Sequence, residues 1–358
     1  MLLPLVPRWG LDQLDRVVDE SRFELVMQHR ALPLGLLLVV GGFARTEQGS
    51  VVQPGHLFFH GAMDPCTAST PMDIVVLPPD PLDLVPIRVL GKGKFGQVHL
   101  LRCRANGLLL AKKAPLDPMD STQANILKRE GAVLATLRGS PFVTAYYGPT
   151  ADNALLLEFL GGGQLLSLLE MRGALLSRAA QQFYLATIAS ALAHVHARHV
   201  IYRDLKPENC MVDQLGYLRL VDFGMAKHLG AQDFTTTICG TPDYFSPELA
   251  RGDAYSYPTD CWALGCIFFE IVAGFSPFAS SSIIGDALLS SSVSARDVVV
   301  VDAELMARIC DDPVAFPEDW DDDVLANLCM DLLDKEPAQR PSAARVKQHP
   351  CVVSRVTH

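Results

Sequence analysis

The stretch that decides the fold is Tyr202-Arg203-Asp204-Leu205-Lys206-Pro207-Glu208-Asn209. It follows an amphipathic segment, Phe183 to His196, which indicates a helix, and it precedes a second cluster, Asp222-Phe223-Gly224. Carboxylate, ammonium and carboxamide groups therefore stand in a fixed order on either side of a predicted β-hairpin. A polar surface loop needs no such order, so the spacing favours a catalytic loop over that alternative.

These groups match the requirements of phosphoryl transfer from ATP, which needs a carboxylate facing the acceptor hydroxyl, oxygen ligands for Mg²⁺ and cations on the phosphates. Asp204 has the place of the first carboxylate, and Lys206 is spaced to reach the transferred phosphate. Asn209 and Asp222 are hard oxygen ligands suited to Mg²⁺. The two clusters resemble the catalytic loop and the Mg²⁺ loop of the eukaryotic protein kinases. That resemblance implies a bilobal α+β fold with a small β-rich N-lobe and a large helical C-lobe, ATP and Mg²⁺ as cofactors, and protein substrates.

Length and composition fit one such domain with a smaller extension. The chain has 358 residues, 49% of them hydrophobic, and a formal net charge of −10. An acidic chain is a poor candidate for nucleic-acid binding through phosphate contacts. The 9 cysteines show no C-x-x-C spacing, which predicts reduced thiols and a cytoplasmic location. No apolar run is long enough for a membrane span, and the N-terminus lacks the features of a signal peptide.

Residues 1–83 are predicted to form a small β-rich extension, with strands around 34–40, 51–52 and 74–77. The segment 52–63 faintly resembles the phosphate cassette of cyclic-nucleotide-binding domains. His60 or Gly61 stands where that family has a Glu, however, and no Arg follows to bind the phosphate. Two interpretations stay open: a degenerate remnant of such a domain, and an unrelated extension.

A proline-rich linker and a glycine-rich turn open the catalytic domain, which is predicted to cover residues 84–354. Pro78-Pro79-Asp80-Pro81, with Pro86 shortly after, indicates a stiff linker. The glycines that follow let backbone N–H groups approach a phosphate closely. A dinucleotide-binding turn would need a helix after the last glycine, whereas residues 98–101 indicate a strand. The residues predicted to contact ATP here are Leu90, Gly91, Gly93, Gly96 and Val98.

Two adjacent lysines, Lys112 and Lys113, lie on the next predicted strand, at residues 108–114. Residues two apart share a strand face, so Ala111 and Lys113 point one way and Lys112 the other. A small residue beside adenine and a lysine on the phosphates should share a face. This geometry selects Lys113 for the phosphates and sends Lys112 to solvent.

The partner of Lys113 should be an acidic residue on the following helix. Between Asp120 and Asp152 the sequence has a single carboxylate, Glu130, on a helix predicted from about Gln123 to Leu137. An exposed helix charge is the plainer interpretation of this residue. We predict instead an ion pair between Glu130 and Lys113.

A buried strand at 155–160 leads into three glycines at 161–163, which indicates a hinge between two lobes. Backbone groups near Glu158 and Leu160 are predicted to bind adenine. After the catalytic loop, residues 211–212 and 218–221 are predicted to form the hairpin that presents Asp222.

Residues 233–248 resemble the activation segment of the AGC group of kinases, which contains the cyclic-nucleotide-dependent kinases and protein kinase C. The motif Thr-x-Cys-Gly-Thr-Pro-x-Tyr, from Thr237 to Tyr244, is characteristic of that group. Within the group, the catalytic loop and hairpin look most like those of the cyclic-GMP-dependent kinases. The resemblance implies that Thr237 is phosphorylated by an upstream kinase and paired with Arg203, and that Thr241 contacts the substrate.

The same resemblance implies further roles. Glu208 and Glu270 match positions that contact an arginine upstream of the acceptor. Asp260 matches the residue that holds the catalytic-loop backbone. Glu248 and Arg340 match a buried structural ion pair.

Several positions depart from the group. Gln164 stands where an acidic residue is usual, and Ser246 replaces the usual Ala. The sequence ends at His358 without the group's aromatic C-terminal tail, and residues 280–301 are interpreted as a surface insertion. The combined prediction is a Ser/Thr protein kinase acting on basic substrates; the alternatives are a pseudokinase scaffold and a cyclic-nucleotide-sensing regulator.

Overall fold

The computed structural model describes residues 44–45, 51–52, 83–93, 96–171, 176, 178–213, 216–229, 234–278, 302–317, 320 and 323–352. Near the N-terminus it contains two short antiparallel strands, β1 (Ala44–Arg45) and β2 (Val51–Val52). The predicted strand at 51–52 is therefore present. The predictions for 34–40, 74–77 and the insertion at 280–301 lie outside the described residues, as does most of the segment compared with a phosphate cassette.

A five-stranded antiparallel sheet forms the small lobe, in the order β3-β4-β5-β7-β6. Its strands are β3 (Leu84–Gly93), β4 (Gly96–Cys103), β5 (Leu109–Ala114), β6 (Tyr146–Pro149) and β7 (Leu155–Glu158). The strand after the glycine-rich turn, which separated the kinase interpretation from a dinucleotide-binding turn, is thus confirmed.

The interpretation of Pro86 as part of a linker is wrong. Pro86 lies inside β3, and the register of β3 against β4 shifts between Pro86 and Arg88. β3 is an edge strand of the sheet, and an edge strand tolerates a residue that has no N–H to donate.

One helix, α1 (Ser121–Thr136), packs against this sheet. Asp120 caps it, because its side chain accepts hydrogen bonds from the backbone N–H groups of Thr122 and Gln123. α1 therefore begins two residues earlier than predicted. A short loop joins β5 to α1, which accommodates the small sequence distance between Lys113 and Glu130.

The large lobe is mainly helical. Its elements are β8 (Gly163–Gln164), α2 (Leu165–Met171), α3 (Arg178–His196), β9 (Val200–Ile201), β10 (Cys210–Val212), β11 (Leu218–Leu220), β12 (Lys227–His228), α4 (Pro247–Arg251), α5 (Pro258–Ala273), α6 (Ala303–Asp311), α7 (Asp323–Leu332) and α8 (Ala343–Val346). Most residues of α3 and α5 are buried, so these two apolar helices form the interior of the lobe.

Apolar packing continues from one lobe into the other. One core cluster contains Leu134 of α1, Leu157 of β7, Phe223 and much of α3. The predicted bilobal α+β fold, with a β-rich small lobe and a helical large lobe, is confirmed. In the part of the chain that the structure describes, no helix is both long and apolar enough to cross a membrane.

Candidate active site

A lysine from the small lobe joins two carboxylates at the cleft. Lys113 Nζ lies 2.9 Å from Glu130 Oε1 and 2.8 Å from Glu130 Oε2, so the predicted ion pair is present. The same ammonium lies 2.8 Å from Asp222 Oδ1. This contact connects β5 and α1 of the small lobe to the segment that follows β11 in the large lobe.

The strand geometry that selected Lys113 is confirmed. Lys113 is 6% exposed, whereas the Lys112 side chain is 25% exposed on the other face of β5. Lys112 is not simply solvated, because its Nζ lies 2.7 Å from Asp152 Oδ2. Asp152 lies in the turn between β6 and β7, and a contact with a distant turn could not be predicted from the alternation of β5.

Lys113 and Asp222 stabilise each other's charge in this cluster, whereas burial raises the pKa of Glu130 although Lys113 opposes that shift. Burial disfavours the ammonium of Lys113, but Glu130 and Asp222 outweigh that effect and raise its pKa. Burial likewise disfavours the charged form of Asp222, yet Lys113 lowers its pKa below the ordinary value. Both groups therefore carry charge at neutral pH.

The catalytic loop forms a second cluster around Asp204. Asn209 Nδ2 donates to Asp204 Oδ2 at 2.9 Å and to the Asp204 carbonyl at 2.8 Å. The hydroxyl of Thr241 donates to Asp204 Oδ1 at 2.9 Å and accepts from Lys206 Nζ at 2.7 Å. Burial raises the pKa of Asp204 although Lys206 and Thr241 oppose the shift. A base with a raised pKa is better matched to proton transfer near neutral pH.

The backbone of this loop is held in a strained shape. Arg203 in this loop has φ 71°, and Asp222 in the segment after β11 has φ 52°, both in the left-handed region that non-glycine residues rarely occupy. Asp260 at the start of α5 stabilises the first of these turns, since its carboxylate accepts from the N–H groups of Tyr202 and Arg203, each at 2.8 Å. His196 lies 2.8 Å from the same carboxylate. The holding role that the resemblance implied for Asp260 thus has a physical basis in these contacts.

Two side-chain oxygens remain for a metal ion. Asn209 uses Nδ2 in its hydrogen bonds, and Asp222 uses Oδ1, so Asn209 Oδ1 and Asp222 Oδ2 have no hydrogen-bond partner among the described residues. In the same part of the chain, no group of three Asp, Glu, His or Cys side chains could hold a metal. Mg²⁺ commonly uses one or two protein oxygens and takes its other ligands from phosphates and water, so this donor set fits it.

The predicted nucleotide residues lie along the small-lobe sheet and the segment after it. Ala111 is buried in the core cluster that spans both lobes, and Leu90 and Val98 pack against its edge. Gly91 and Gly93 are exposed on β3. Gly96 has φ 153°, and a Cβ there would lie 2.4 Å from the Ala114 carbonyl oxygen, so no larger residue fits.

The backbone that is predicted to bind adenine lies where β7 leaves the sheet. Glu158 ends β7, and its backbone N–H donates to the Ala145 carbonyl at 2.9 Å. The Leu160 side chain is buried, and its N–H has no hydrogen-bond partner among the described residues. A free backbone donor at this place can serve an adenine ring.

The activation segment approaches the catalytic loop at Tyr255. The hydroxyl of Tyr255 donates to the Thr237 carbonyl and lies 3.4 Å from Arg203 Nη1. The Thr237 side chain is exposed. Lys227 of β12, which the sequence did not single out, donates to the Thr235 hydroxyl at 3.0 Å. Two cations thus lie beside this stretch of the segment.

The acidic residues expected to bind a substrate surround Tyr244. Its hydroxyl donates to Glu270 Oε2 at 2.8 Å. Burial, followed by the carboxylates of Glu270 and Glu208, raises the pKa of that hydroxyl. Glu208 Oε2 is buried without a hydrogen-bond partner among the described residues. Gln164 is exposed on β8.

Below the site, Glu248 of α4 and Arg340 form a bidentate ion pair with both contacts at 2.7 Å. The Ser246 hydroxyl, at the position that departs from the group, hydrogen-bonds Thr259 of α5. Thr259 in turn donates to Glu248 at 3.3 Å. The substituted serine is therefore part of the polar network around this ion pair.

Comparison with known proteins identifies the fold's relatives. Residues 84–352 match the protein kinase domain. Protein kinase C zeta type of Oryctolagus cuniculus is 38% identical over 198 residues, which cover 54% of this chain and 33% of that protein. cAMP-dependent protein kinase type 3 of Saccharomyces cerevisiae is 34% identical over 207 residues, covering 56% of this chain and 50% of that protein. cGMP-dependent protein kinase, isozyme 1, of Drosophila melanogaster is 32% identical over 262 residues, covering 70% and 31%.

The chain thus spans half or less of the length of these three relatives. The family match covers more than half of the chain itself and includes both clusters described above. All three relatives belong to the group that the activation-segment motif indicated. The chain is a member of the protein kinase family, in its AGC group.

Proposed function

We propose that the chain is a Ser/Thr protein kinase that transfers the γ-phosphate of Mg·ATP to protein hydroxyls. The observation that carries this proposal is the position of Lys113 between Glu130 and Asp222. It brings a small-lobe cation to the carboxylate that the large lobe offers to Mg²⁺. A scaffold that only binds partners has no need of this arrangement.

Each charged group has a role that follows from its contacts. Asp204, fixed by Asn209 and Thr241, accepts the proton of the acceptor hydroxyl. Lys206 lies 3.3 Å from Asp204 Oδ2 and steadies the transferred phosphate. Asn209 and Asp222 would hold Mg²⁺ through their free oxygens. Bound Mg·ATP supplies the phosphoryl group and the metal that neutralises its charge.

Lys113 meets the α- and β-phosphates, since its ammonium is already held at the cleft by Glu130. Leu90, Ala111 and Val98 pack around the adenine, and the backbone at Glu158 and Leu160 hydrogen-bonds its edge. The glycines of β3 and β4 cover the phosphates. These assignments rest on the placement of the residues described above.

The substrates are proposed to be proteins with an arginine upstream of the acceptor. The buried, unpartnered oxygen of Glu208 is an acceptor that an arginine would satisfy, and Glu270 lies beside the same tyrosine. Thr241 contacts both Asp204 and Lys206, which suits a role at the acceptor. An upstream kinase is proposed to phosphorylate Thr237.

The proposed catalytic domain covers residues 84–354, with 1–83 as a separate N-terminal extension. A cytoplasmic location is proposed from the cysteines, because the described ones are all free thiols. Reduced thiols are the usual state in that compartment.

The test is Mg²⁺-dependent transfer of labelled γ-phosphate from ATP to a serine peptide with upstream arginines, using the full chain. We expect transfer that depends on the peptide and on Mg²⁺. The same protein after phosphorylation by an activating kinase should be faster. A chain that binds ATP but transfers no phosphate in either state would be a scaffold, and the proposal would be wrong.

A further inference from the structure

The segment that links the two lobes is attached at both ends to the β10–β11 hairpin of the large lobe. At its start, Glu158 Oε2 lies 3.1 Å from Arg219 Nη1 of β11. At its end, the Gly162 N–H donates to the Val212 carbonyl of β10 at 2.9 Å. A Cβ on Gly162 would lie 2.4 Å from the Asp213 carbonyl oxygen, so the linker backbone is pressed against the hairpin.

Side chains alternate between the two faces of β11, which explains why the Arg219 side chain can reach Glu158. Leu218 and Leu220 are both fully buried, and Arg219 between them points to the other face, opposite Met211 of β10. The side chains of Arg219 and Glu158 are 18% and 24% exposed. An ion pair this sheltered is screened less by salt than a pair on the open surface.

The carboxylate of Glu158 joins three parts of the molecule. Besides Arg219, its Oε2 accepts from the Ala145 N–H at 3.2 Å, in the connection between α1 and β6. That connection itself pairs with β11, since Thr144 N–H donates to the Leu220 carbonyl at 3.0 Å. The side chain of Glu158 is therefore fixed from two directions, and the backbone that it carries is fixed with it.

Two ion pairs thus connect the small lobe to the stretch from β11 to Asp222. Lys113 contacts Asp222 at the phosphate end of the site, at 2.8 Å. Arg219 contacts Glu158 at the adenine end, at 3.1 Å. The distance between the adenine-binding backbone and the metal-binding carboxylate is consequently set at both ends by charged contacts.

We propose that Arg219 is a positioning residue for ATP: its ion pair with Glu158 holds the adenine-binding backbone in place relative to Asp222. The inference rests on the proposed function, because it assigns the linker to adenine. Arg219 touches neither the nucleotide nor the reacting atoms. It acts through Glu158, so its loss weakens ATP binding and leaves the chemical step in place.

The test compares ATP affinity and turnover in the full chain for matched variants. Arg219→Gln should raise the Kd and KM for ATP by about three- to tenfold, the range of a partly sheltered ion pair, with kcat within about twofold of the unchanged protein. Arg219→Lys keeps the charge and should restore most of the affinity. Asp152→Asn is the matched control: it removes the ion pair with Lys112, also in the small-lobe sheet, and should leave ATP affinity unchanged.

A double-mutant cycle gives the second measurement. Glu158→Gln is isosteric and should weaken ATP binding as much as Arg219→Gln does, and the double variant should be no weaker than either. If Arg219→Gln fails to fold, Glu158→Gln alone tests whether loss of this ion pair weakens ATP binding.

Equal ATP affinity in the Arg219→Gln, Glu158→Gln and unchanged proteins overturns the inference alone. If Arg219→Gln lowers kcat and thermal stability and Arg219→Lys does not restore them, Arg219 has a structural role and the inference is wrong as well. Absence of ATP binding by the unchanged protein overturns the proposed function first, and the inference with it.

Discussion

Two buried ion pairs in this kinase differ in whether a ligand can reach them. In the cleft, the side chains of Lys113 and Glu130 are 7% and 1% exposed. The ammonium also contacts Asp222, whose side chain is 39% exposed. A ligand in the cleft can therefore reach the group of charges at Asp222, the third partner of the Lys113–Glu130 pair.

The pair in the large lobe is closed. The side chains of Arg340 and Glu248 are 0% and 5% exposed, and the guanidinium carbon lies 5.0 Å from the ring centroid of Trp262. The remaining donors of Arg340 bond backbone carbonyls, including that of Pro258 at 3.1 Å. Every guanidinium nitrogen of Arg340 thus has a partner among the described residues, and neither side chain of the pair is open to a substrate.

Burial and short distances are alike in the two pairs, so neither property separates a catalytic group from a structural one. The difference lies in a third, accessible partner. Changes in the cleft should therefore alter rates, and changes at Glu248–Arg340 should alter stability.

The largest expected effect is on turnover. Asp204→Asn keeps the shape of the side chain but removes the acceptor for the hydroxyl proton, so kcat should fall by about 10²–10⁴-fold. ATP affinity and the free energy of unfolding should change little. Steady-state kinetics with a serine peptide, combined with ATP titration, measure both. Wild-type turnover in this variant contradicts the role of Asp204.

The next effect is on stability. Arg340→Met leaves the Glu248 carboxylate buried without its cation and should lower the free energy of unfolding by about 3–5 kcal/mol. At a temperature where the variant is folded, its ATP affinity should be unchanged. Denaturant titration gives the first value. If the variant keeps its stability but loses ATP binding, the Glu248–Arg340 pair serves the ligand and not the fold, which contradicts the comparison.

A pH series sharpens this test. Burial alone would raise the pKa of Glu248, but Arg340 lowers it below the ordinary value. The pair therefore stabilises the fold fully above the unfolded-state pKa of Glu, and this contribution is lost as the pH falls through the lower folded-state value. The Arg340→Met variant should lack this part of the acid dependence.

A smaller effect is expected in the activation segment. Phosphate on Thr237 would meet Arg203 and Lys227, and new charge-assisted contacts of this kind order a segment. Thr237→Ala cannot carry this phosphate, so the variant should be about tenfold less active than the phosphorylated unchanged protein. Arg203→Ala should make the rate independent of phosphorylation. Equal rates for phosphorylated and dephosphorylated enzyme place the switch elsewhere.

The smallest effect concerns substrate choice. From the proposed function, we expect Glu208 and Glu270 to bind an arginine two residues before the acceptor. Gln164 lacks the charge expected to bind an arginine three residues before it. Replacing the arginine two residues before the acceptor by alanine should reduce kcat/KM about three- to tenfold more than replacing the arginine three residues before it. A peptide array measures both. The opposite order contradicts the assignment of Glu208.

Much of this site could be predicted because local geometry determines it. Alternation along β5 separates Lys113 from Lys112, and Glu130 is the one carboxylate in reach on the following helix. The β10–β11 hairpin and a helix over Phe183 to His196 are also predicted from the sequence, although α3 begins five residues earlier, at Arg178, and is buried on most sides rather than amphipathic. These features depend on residues close together in the sequence, so the order of residue types along the chain is enough to predict them.

The remaining features depend on contacts between distant segments. Arg219 and Glu158 belong to no motif, and Asp152 meets Lys112 only because the turn between β6 and β7 folds beside β5. Pro86 was assigned to a linker because prolines are frequent in that stretch. Composition cannot show that an edge strand such as β3 accepts a proline. Such contacts require the folded chain.

The most direct test of the cleft pair compares Lys113→Met with Lys112→Met in Mg²⁺-dependent phosphoryl transfer, at a temperature where circular dichroism shows both variants folded. Lys113→Met should lose at least about 10²-fold in kcat/KM, because it removes the cation from a partly dry site. Lys112→Met should stay within about twofold, since a partly exposed ion pair contributes little. An inactive Lys112→Met beside an active Lys113→Met would contradict the account.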